Sequence, residues 1–392
     1  MAGSIRRIER RDGPSYVVRV EYPPDPATGE RRQRSKSYRT KKEAEKALAA
    51  WRTEIDRGLA VEPDRLTVAG LFEHWLESFR GSNPKERTIV EYERTIRAKI
   101  IPGIGAVPVQ QLRPLQIDAF YAQLREAGAS SDAIHRVHKR LRQALDYAAK
   151  KRLIAASPLA AVDPPTVRSR APVVLTPPQL RHFLRAAAAD GYSPLWLLIV
   201  QTGLRRGEAL GLRWQDIDLA RRRLQVRQCV EVLRGAAHLT TPKTPAALRS
   251  VTLFAESVTA LAAHRERQAE RRRAAGAAWR DHDLVFSTPE GGPINPNNVL
   301  RNLAVIVRRG NAADGLADAA RLPRFSLHDL RHTHATHLLT EGWPVAVVSR
   351  RLGHANPAIT LQLYAHAIAD VHGEDVATPA AFALDRDEAA NG

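Results

Sequence analysis

The chain has 392 residues, 44% of them hydrophobic, enough to bury the cores of roughly two or three domains. A formal net charge of +18 and a sequence pI near 10.6 point to a polyanionic partner, nucleic acid above all. The single cysteine, Cys229, excludes an internal disulfide framework and a cysteine-based zinc site; with no signal-like N-terminus and no apolar run near the length of a membrane span, a cytoplasmic protein with no membrane partner is expected.

Residues 1–60 read as a small β-α module. SYVVRVEY at 15–22 alternates, with Tyr16, Val18, Val20 and Tyr22 on one face, as a half-buried strand does. PPDPATGE is a turn, and RRQRSKSYRT a second strand whose Arg31, Arg32, Arg34 and Lys36 are candidate DNA-binding residues. Thr40-Lys41-Lys42-Glu43 is a capping box that opens a helix through Ala47, Leu48, Trp51 and Ile55.

After a loop around Glu62-Pro63-Asp64, residues 65–160 read as all-α. Asn83-Pro84 is expected to start a helix carrying Ile89, Tyr92 and Ile96 on one stripe, and GIGAVPV to interrupt it. From Ser131 a further helix places Ile134, Val137, Leu141, Leu145 and Ala148 at three-four spacing, which gives it one buried face. A charge run opposite such a face is ordinarily its wet side. Here cations greatly outnumber acids, and Arg136, Lys139 and Arg140 are further candidate contacts to DNA. SPLAAVDPPTVRSRAP, 157–172, reads as a linker.

Residues 173–372 read as a mixed α+β, mainly helical domain. Pro178–Ala188 and Leu195–Gln201 are predicted helices. Leu224, Val226 and the VTL of 251–253 are predicted strands around a turn containing Thr241-Pro242-Lys243, and 265–280 an exposed, basic, alanine-rich helix. The densest polar chemistry lies at 326–366. Ser326 and Asp329 cap a helix that sets His328 and Arg331 one turn apart, and Gly342 ends it. Val345, Val348 and Leu352 suggest a second helix, stopped by Gly353 just before His354; Asn356-Pro357 opens a last helix bearing Tyr364. Residues 373–392 are a mainly acidic tail with a short apolar run that includes Phe382 and Leu384.

Joined to TGLRRGEALGL at 202–212, these residues resemble the tyrosine recombinase (phage integrase) family. Its pattern is an Arg in T-G-L-R-x-x-E, a Lys in a β-hairpin, H-x-x-R, L-G-H and a Tyr nine or ten residues on. Here the pattern falls in order on Arg205, Lys243, His328, Arg331, His354 and Tyr364. The resemblance implies a catalytic domain at 173–372, a helical, SAM-like core-binding domain at 65–160 and an arm-type DNA-binding domain at 1–60. It implies double-stranded attachment-site DNA as partner and a homotetramer on two duplexes; an excisionase or a DNA-bending host factor is a further candidate partner. It also implies that Lys243 sits in a β-hairpin turn beside the scissile phosphate, and that Phe382 and Leu384 pack into a neighbouring catalytic domain.

The residue types suit that chemistry without a metal or cofactor. A tyrosine phenol that attacks a phosphodiester keeps the phosphate as an ester, so rejoining needs no external energy. Guanidiniums, planar and permanently charged, fit the non-bridging oxygens, a role for Arg205 and Arg331. Lys243 is the candidate acid for the leaving 5′-oxygen. The helix dipole disfavours a charged His328, and a neutral ring there can accept the Tyr364 proton or donate a hydrogen bond. His354 is expected to hydrogen-bond a phosphate oxygen, and Glu208 to brace an Arg or His.

A competing class is a metal-dependent hydrolase on His328, His332, His334 and His337. His328-Asp-Leu-Arg-His332 has the spacing of a two-histidine zinc helix, but Asp329 stands where such sites need Glu, and Arg331 between the ligands repels a cation. Two further classes compete, a type IB topoisomerase-like strand transferase and a DNA-binding regulator without catalysis. The basic N-terminal module and the L-G-H motif favour a site-specific integrase.

Overall fold

The structure, a computed structural model, describes residues 3–10, 13–22, 32–56, 66–167, 170–242, 245–313 and 315–371. Arg31, Lys243 and the tail at 373–392 lie outside them. The chain divides into two units, residues 1–169 and 170–392.

In the first unit the alternating segment is β2 (Gly13–Tyr22), the middle strand of an antiparallel sheet between β1 (Gly3–Arg10) and β3 (Arg32–Tyr38). β1 was not legible: its apolar residues, Ile5 and Ile8, are three apart and show no alternation. Helix α1 (Lys41–Asp56) opens on the expected box, with the Thr40 amide donating to Glu43 Oε2 and the Glu43 amide to Thr40 Oγ1, both at 3.2 Å. Its Ala44 and Trp51 close over Val18 and Val20. Arg32, Arg34 and Lys36 lie on β3, where Lys36 is exposed with its ammonium 5.7 Å from the Tyr38 ring centroid.

The helical part of this unit comprises α2 (Val68–Gly81), α3 (Glu86–Thr95), a single π turn (Ile96–Ile100), α4 (Ile101–Ile104), α5 (Pro114–Glu126) and α6 (Ser131–Lys150). One expectation shifts here. Asn83 adopts a left-handed φ of 54° and donates its amide back to the Arg80 carbonyl at 3.0 Å, so it closes α2 and α3 begins later, at Glu86. The helical run continues past Ile96 through the π turn and α4 and stops at Gly105, within GIGAVPV, as expected. The predicted stripe of α6 is buried throughout, and Arg136 and Lys139 lie exposed on the same helix. Arg140 is half-buried, its guanidinium 3.5 Å from the centroid of Tyr92, whose ring stacks on Trp75 and Phe79.

The second unit starts with α7 (Pro177–Ala187), α8 (Ser193–Thr202) and the short α9 (Arg206–Leu210). β4 (Ile217–Asp218), β5 (Arg223–Val226) and β8 (Arg249–Thr252) form one antiparallel sheet in the order β4-β5-β8, with Leu224 opposite Val251. Between β5 and β8 a separate hairpin intervenes, β6 (Cys229–Leu233) and β7 (Ala236–Thr240), turning at Arg234-Gly235. The expected single turn between two strands is thus a hairpin plus a connection, and position 243 falls in the connection from β7 to β8. α10 (Ala255–Ala275) is not a wholly exposed helix: it buries Leu261, His264 and Gln268, the Gln268 amide donating to the Leu284 carbonyl at 3.0 Å. α11 (Pro296–Asn311), α12 (Leu327–Thr340), α13 (Val345–Leu352) and α14 (Pro357–Val371) complete the unit around a core containing Trp196, Phe183, Val285 and Leu330. Among the described residues no helix is long and apolar enough to cross a membrane.

Leu141, fully buried at the centre of the α6 stripe, is the clearest stability probe. Leu141→Ala is expected to cost about 2–5 kcal/mol through lost burial and the cavity left behind, read as a lower urea midpoint by circular dichroism.

Candidate active site

Ser326 caps α12 as its sequence predicts: the Asp329 amide donates to Ser326 Oγ at 3.3 Å, and the Ser326 amide to Asp329 Oδ2 at 2.6 Å. Asp329 Oδ1 also accepts from the Val173 amide at 3.1 Å, so the cap anchors the start of this unit to the helix that carries His328 and Arg331.

Arg331 is 2% exposed. Its Nη1 donates to the Gly203 carbonyl at 2.7 Å and its Nη2 to the Leu352 carbonyl at 2.6 Å, so one side chain ties the T-G-L-R turn to the L-G-H turn. Both turns need glycine. Gly203 (φ +65°) lies so close to His334 that a Cβ would meet its Cδ2 at 2.7 Å, and Gly353 (φ +70°) leaves room for the Arg249 side chain, whose Cδ a Cβ would meet at 2.9 Å. Burial, then the like charge of Arg205, push the Arg331 pKa down to about 9, still charged at neutral pH.

Arg205 stands at the N-cap of α9, its side chain 41% exposed. Its Nη1 donates to Glu208 Oε1 at 2.8 Å and its backbone amide to Glu208 Oε2 at 2.9 Å. Burial alone raises the Glu208 pKa, but hydrogen bonds and charge from Arg249, and then from Arg205, bring it below the ordinary carboxylate value. Arg205, His328 and Arg331 line one open cleft, with Arg206, Leu204, Leu300, Ser326 and Leu327.

The other two predicted residues among those described lie beyond α13, whose last carbonyl Arg331 holds. His354 follows Gly353, and its Nδ1 lies 2.7 Å from Thr360 Oγ1; burial, then Arg331 and Arg205, lower its pKa to about 4. Tyr364 is 2% exposed, at a non-helical kink within α14 (φ −124°, ψ 16°). Its hydroxyl is 2.7 Å from His332 Nδ1. The hydroxyl thus pairs with His332 and not with His328. His328 instead presents its ring edge-on to His332, centroids 4.7 Å apart. Partial enclosure, then Arg331 and Arg205, depress the His328 pKa, with Asp329 opposing them.

Two residues of this arrangement carry no signal in the sequence. Arg249, 4% exposed, grips Glu208 from the side opposite Arg205. His332 stands out in the sequence only as a metal ligand, on its spacing from His328. The histidines of that reading turn to separate partners: His332 to Tyr364, His334 to the Nε of Arg351 at 3.1 Å, and His337 to the Leu175 carbonyl at 2.9 Å.

The sequence carries the same architecture in its family matches. The model of the phage integrase family matches residues 174–370, that of the arm DNA-binding domain residues 4–55, and that of the phage integrase N-terminal SAM-like domain residues 67–125. The chain belongs to the phage integrase family. Its fold has the parts expected of a tyrosine recombinase: a β-α N-terminal module, an all-α region and a mixed α+β catalytic domain. A tyrosine recombinase XerC-like protein of Caldanaerobacter subterraneus subsp. tengcongensis is 29% identical over 84% of this chain and 87% of its own length. In fold the chain is similar to the Tn1549 transposon integrase in complex with a circular intermediate DNA (TM-score 0.64, 23% identity, 78% of this chain and 97% of that one). It is similar also to a lambda integrase tetramer bound to a Holliday junction (TM-score 0.56, 17% identity, 95% and 97%). As an integrase of this family the chain is a DNA strand-breaking and rejoining enzyme.

Neutral histidines in this integrase site have a pH signature. His332 and His354 have folded pKa values of about 4, below the 6.5 of an ordinary imidazole. Their contribution to stability is therefore complete above pH 6.5 and is lost as pH falls from there through the folded values. Ring-nitrogen NMR should find both neutral from pH 8 down to about 5.5.

Proposed function

We propose that the chain cleaves and rejoins attachment-site DNA through a covalent 3′-phosphotyrosine at Tyr364, integrating or excising a mobile element. The observation that carries this is the cleft that brings Arg205, Arg331 and His328 together, with His354 and Tyr364 on the two segments that follow α12.

A phosphodiester entering the cleft meets Arg205 and Arg331. Their charges oppose the extra negative charge that builds on the phosphorus oxygens as the phenol attacks. Neutral His328 and His354 donate hydrogen bonds to those oxygens without adding cations that would hold the product too tightly. As the Tyr364 phenol passes its proton to a neutral imidazole of the site, its oxygen forms the bond to phosphorus, the bond to the 5′-oxygen breaks, and that oxygen leaves with a proton, for which Lys243 is the candidate donor. The free 5′-hydroxyl of the exchange partner then attacks the phosphotyrosine, and Tyr364 recovers its proton. The bond energy stays in the ester throughout, so no external cofactor enters the balance.

Recognition falls to the first unit. The arm module, residues 1–60, supplies Arg32, Arg34 and Lys36 on β3, and the helical region at 65–160 supplies Arg136 and Lys139, phosphate contacts that set position and salt dependence. Assembly as a tetramer on two duplexes is supported by the lambda integrase tetramer that the fold resembles.

Incubated with a nicked suicide duplex spanning the junction of the element that carries the gene, the protein should be recovered bound to a 3′-phosphate, and Tyr364→Phe should abolish the adduct. Arg205→Ala and Arg331→Ala should each slow adduct formation by on the order of 10² to 10³. A Tyr364→Phe protein that still forms the adduct would show that the nucleophile lies elsewhere.

A further inference from the structure

Arg249 has no place in the motif that defines the site, yet every nitrogen of its guanidinium is committed within it. Nη1 and Nη2 form a two-pronged pair with Glu208 Oε1 and Oε2 at 3.2 and 2.8 Å. Nη1 also donates to the Ala247 carbonyl at 3.1 Å, and Nε donates to the Arg351 carbonyl at 2.7 Å. The side chain thus runs from the start of β8 to the first turn of α9 and on to the last turn of α13.

The charges explain why this matters. Glu208 is buried at 5% exposure and lies against Arg205. With only those two groups, +1 and −1 cancel, and the exposed guanidinium has its charge spent on its own neighbour. Adding Arg249 leaves a net +1, and because Arg249 is itself buried at 4% exposure, the group able to present that charge to the cleft is Arg205. We propose that Arg249 is a positioning residue of the recombination site: it takes up the charge of Glu208, so that Arg205 remains a free-facing, oriented cation for the scissile phosphate. This rests on the phosphotyrosine reading above and adds a third arginine to it. The same side chain sets the L-G-H turn, since it fills the space that the missing Cβ of Gly353 leaves and holds the carbonyl two residues before that glycine.

The test is single-turnover adduct formation on the same nicked junction duplex. Arg249→Met should slow it at least about tenfold, the scale of a misplaced donor, and Arg249→Lys should fall in between, a point charge replacing a fork. Adding Glu208→Gln to Arg249→Met should restore most of the lost rate, because a neutral amide needs no counter-cation. In an Arg205→Ala background Arg249→Met should cost less than about twofold more. A purely structural arginine predicts otherwise: the same loss in both backgrounds and no relief from Glu208→Gln. That result, or a wild-type rate for Arg249→Met, overturns the proposal. Should Arg249→Met fail to fold, Arg249→Lys and the Glu208→Gln/Arg249→Met pair, which has no unpaired buried charge, carry the same comparison. Absence of a Tyr364-dependent adduct in the wild-type protein overturns the parent reading and this one with it, whereas a normal adduct with unaffected Arg249 variants overturns this one alone.

Discussion

The catalytic unit depends on one buried guanidinium. Arg331 is taken out of water almost entirely, at a desolvation cost that only strong acceptors offset. Its acceptors are the carbonyls of Gly203, which ends α8, and of Leu352, the last residue of α13. Helix C-termini carry orphan carbonyls and the negative end of the helix dipole, so two of them facing one cation solve three problems together. The cation is stabilised, two sets of carbonyls are satisfied, and the segments bearing Arg205 and His354 are fixed against α12.

The same device recurs around it. Arg351 donates from Nη2 to the Gln201 carbonyl at 2.8 Å, in the last turn of α8, and Arg249 donates from Nε to the Arg351 carbonyl in the last turn of α13. Arginines therefore knit these helix ends, and with Glu208 as the one carboxylate between Arg205 and Arg249 the region keeps an excess of positive charge. Burial, and after it Arg331, Arg205 and Arg249, lower the pKa of His354, so fixed guanidinium charge and a neutral imidazole stand side by side.

The local signals in the sequence were reliable because the interactions they report are local. Ser326 with Asp329, Thr40 with Glu43, Gly353 in the left-handed region and Asn356 ahead of Pro357 all act within about one helical turn, and each does what its residue type requires. The family motif carried the rest of the legible site. Contacts between residues distant in sequence carried no such signal: Glu208 and Arg249 are 41 positions apart, and His332 and Tyr364 are 32 apart. Nothing in R-S-V-T distinguishes a strand arginine that reaches a carboxylate from one facing water. β1 and the β6–β7 hairpin were illegible for a related reason. Strand pairing can draft a segment with poor alternation once its neighbour supplies the register, as Ile5 opposite Val18 shows.

Tyr364 holds its proton firmly in this arrangement. Burial pushes its pKa up to about 12 while that of His332 lies near 4, so the proton stays on the phenol and the hydroxyl is the donor in the 2.7 Å bond. The phenol is then an unreactive acid in an apolar socket with Leu338, Val348 and Leu352, whereas Arg205 and His328 open onto the cleft. The kink at Tyr364 marks where α14 departs from regular helical geometry. An anion against Arg205 and Arg331 would offset the part of the pKa lowering of His328 and His354 that those cations cause, while burial, its larger cause, would remain.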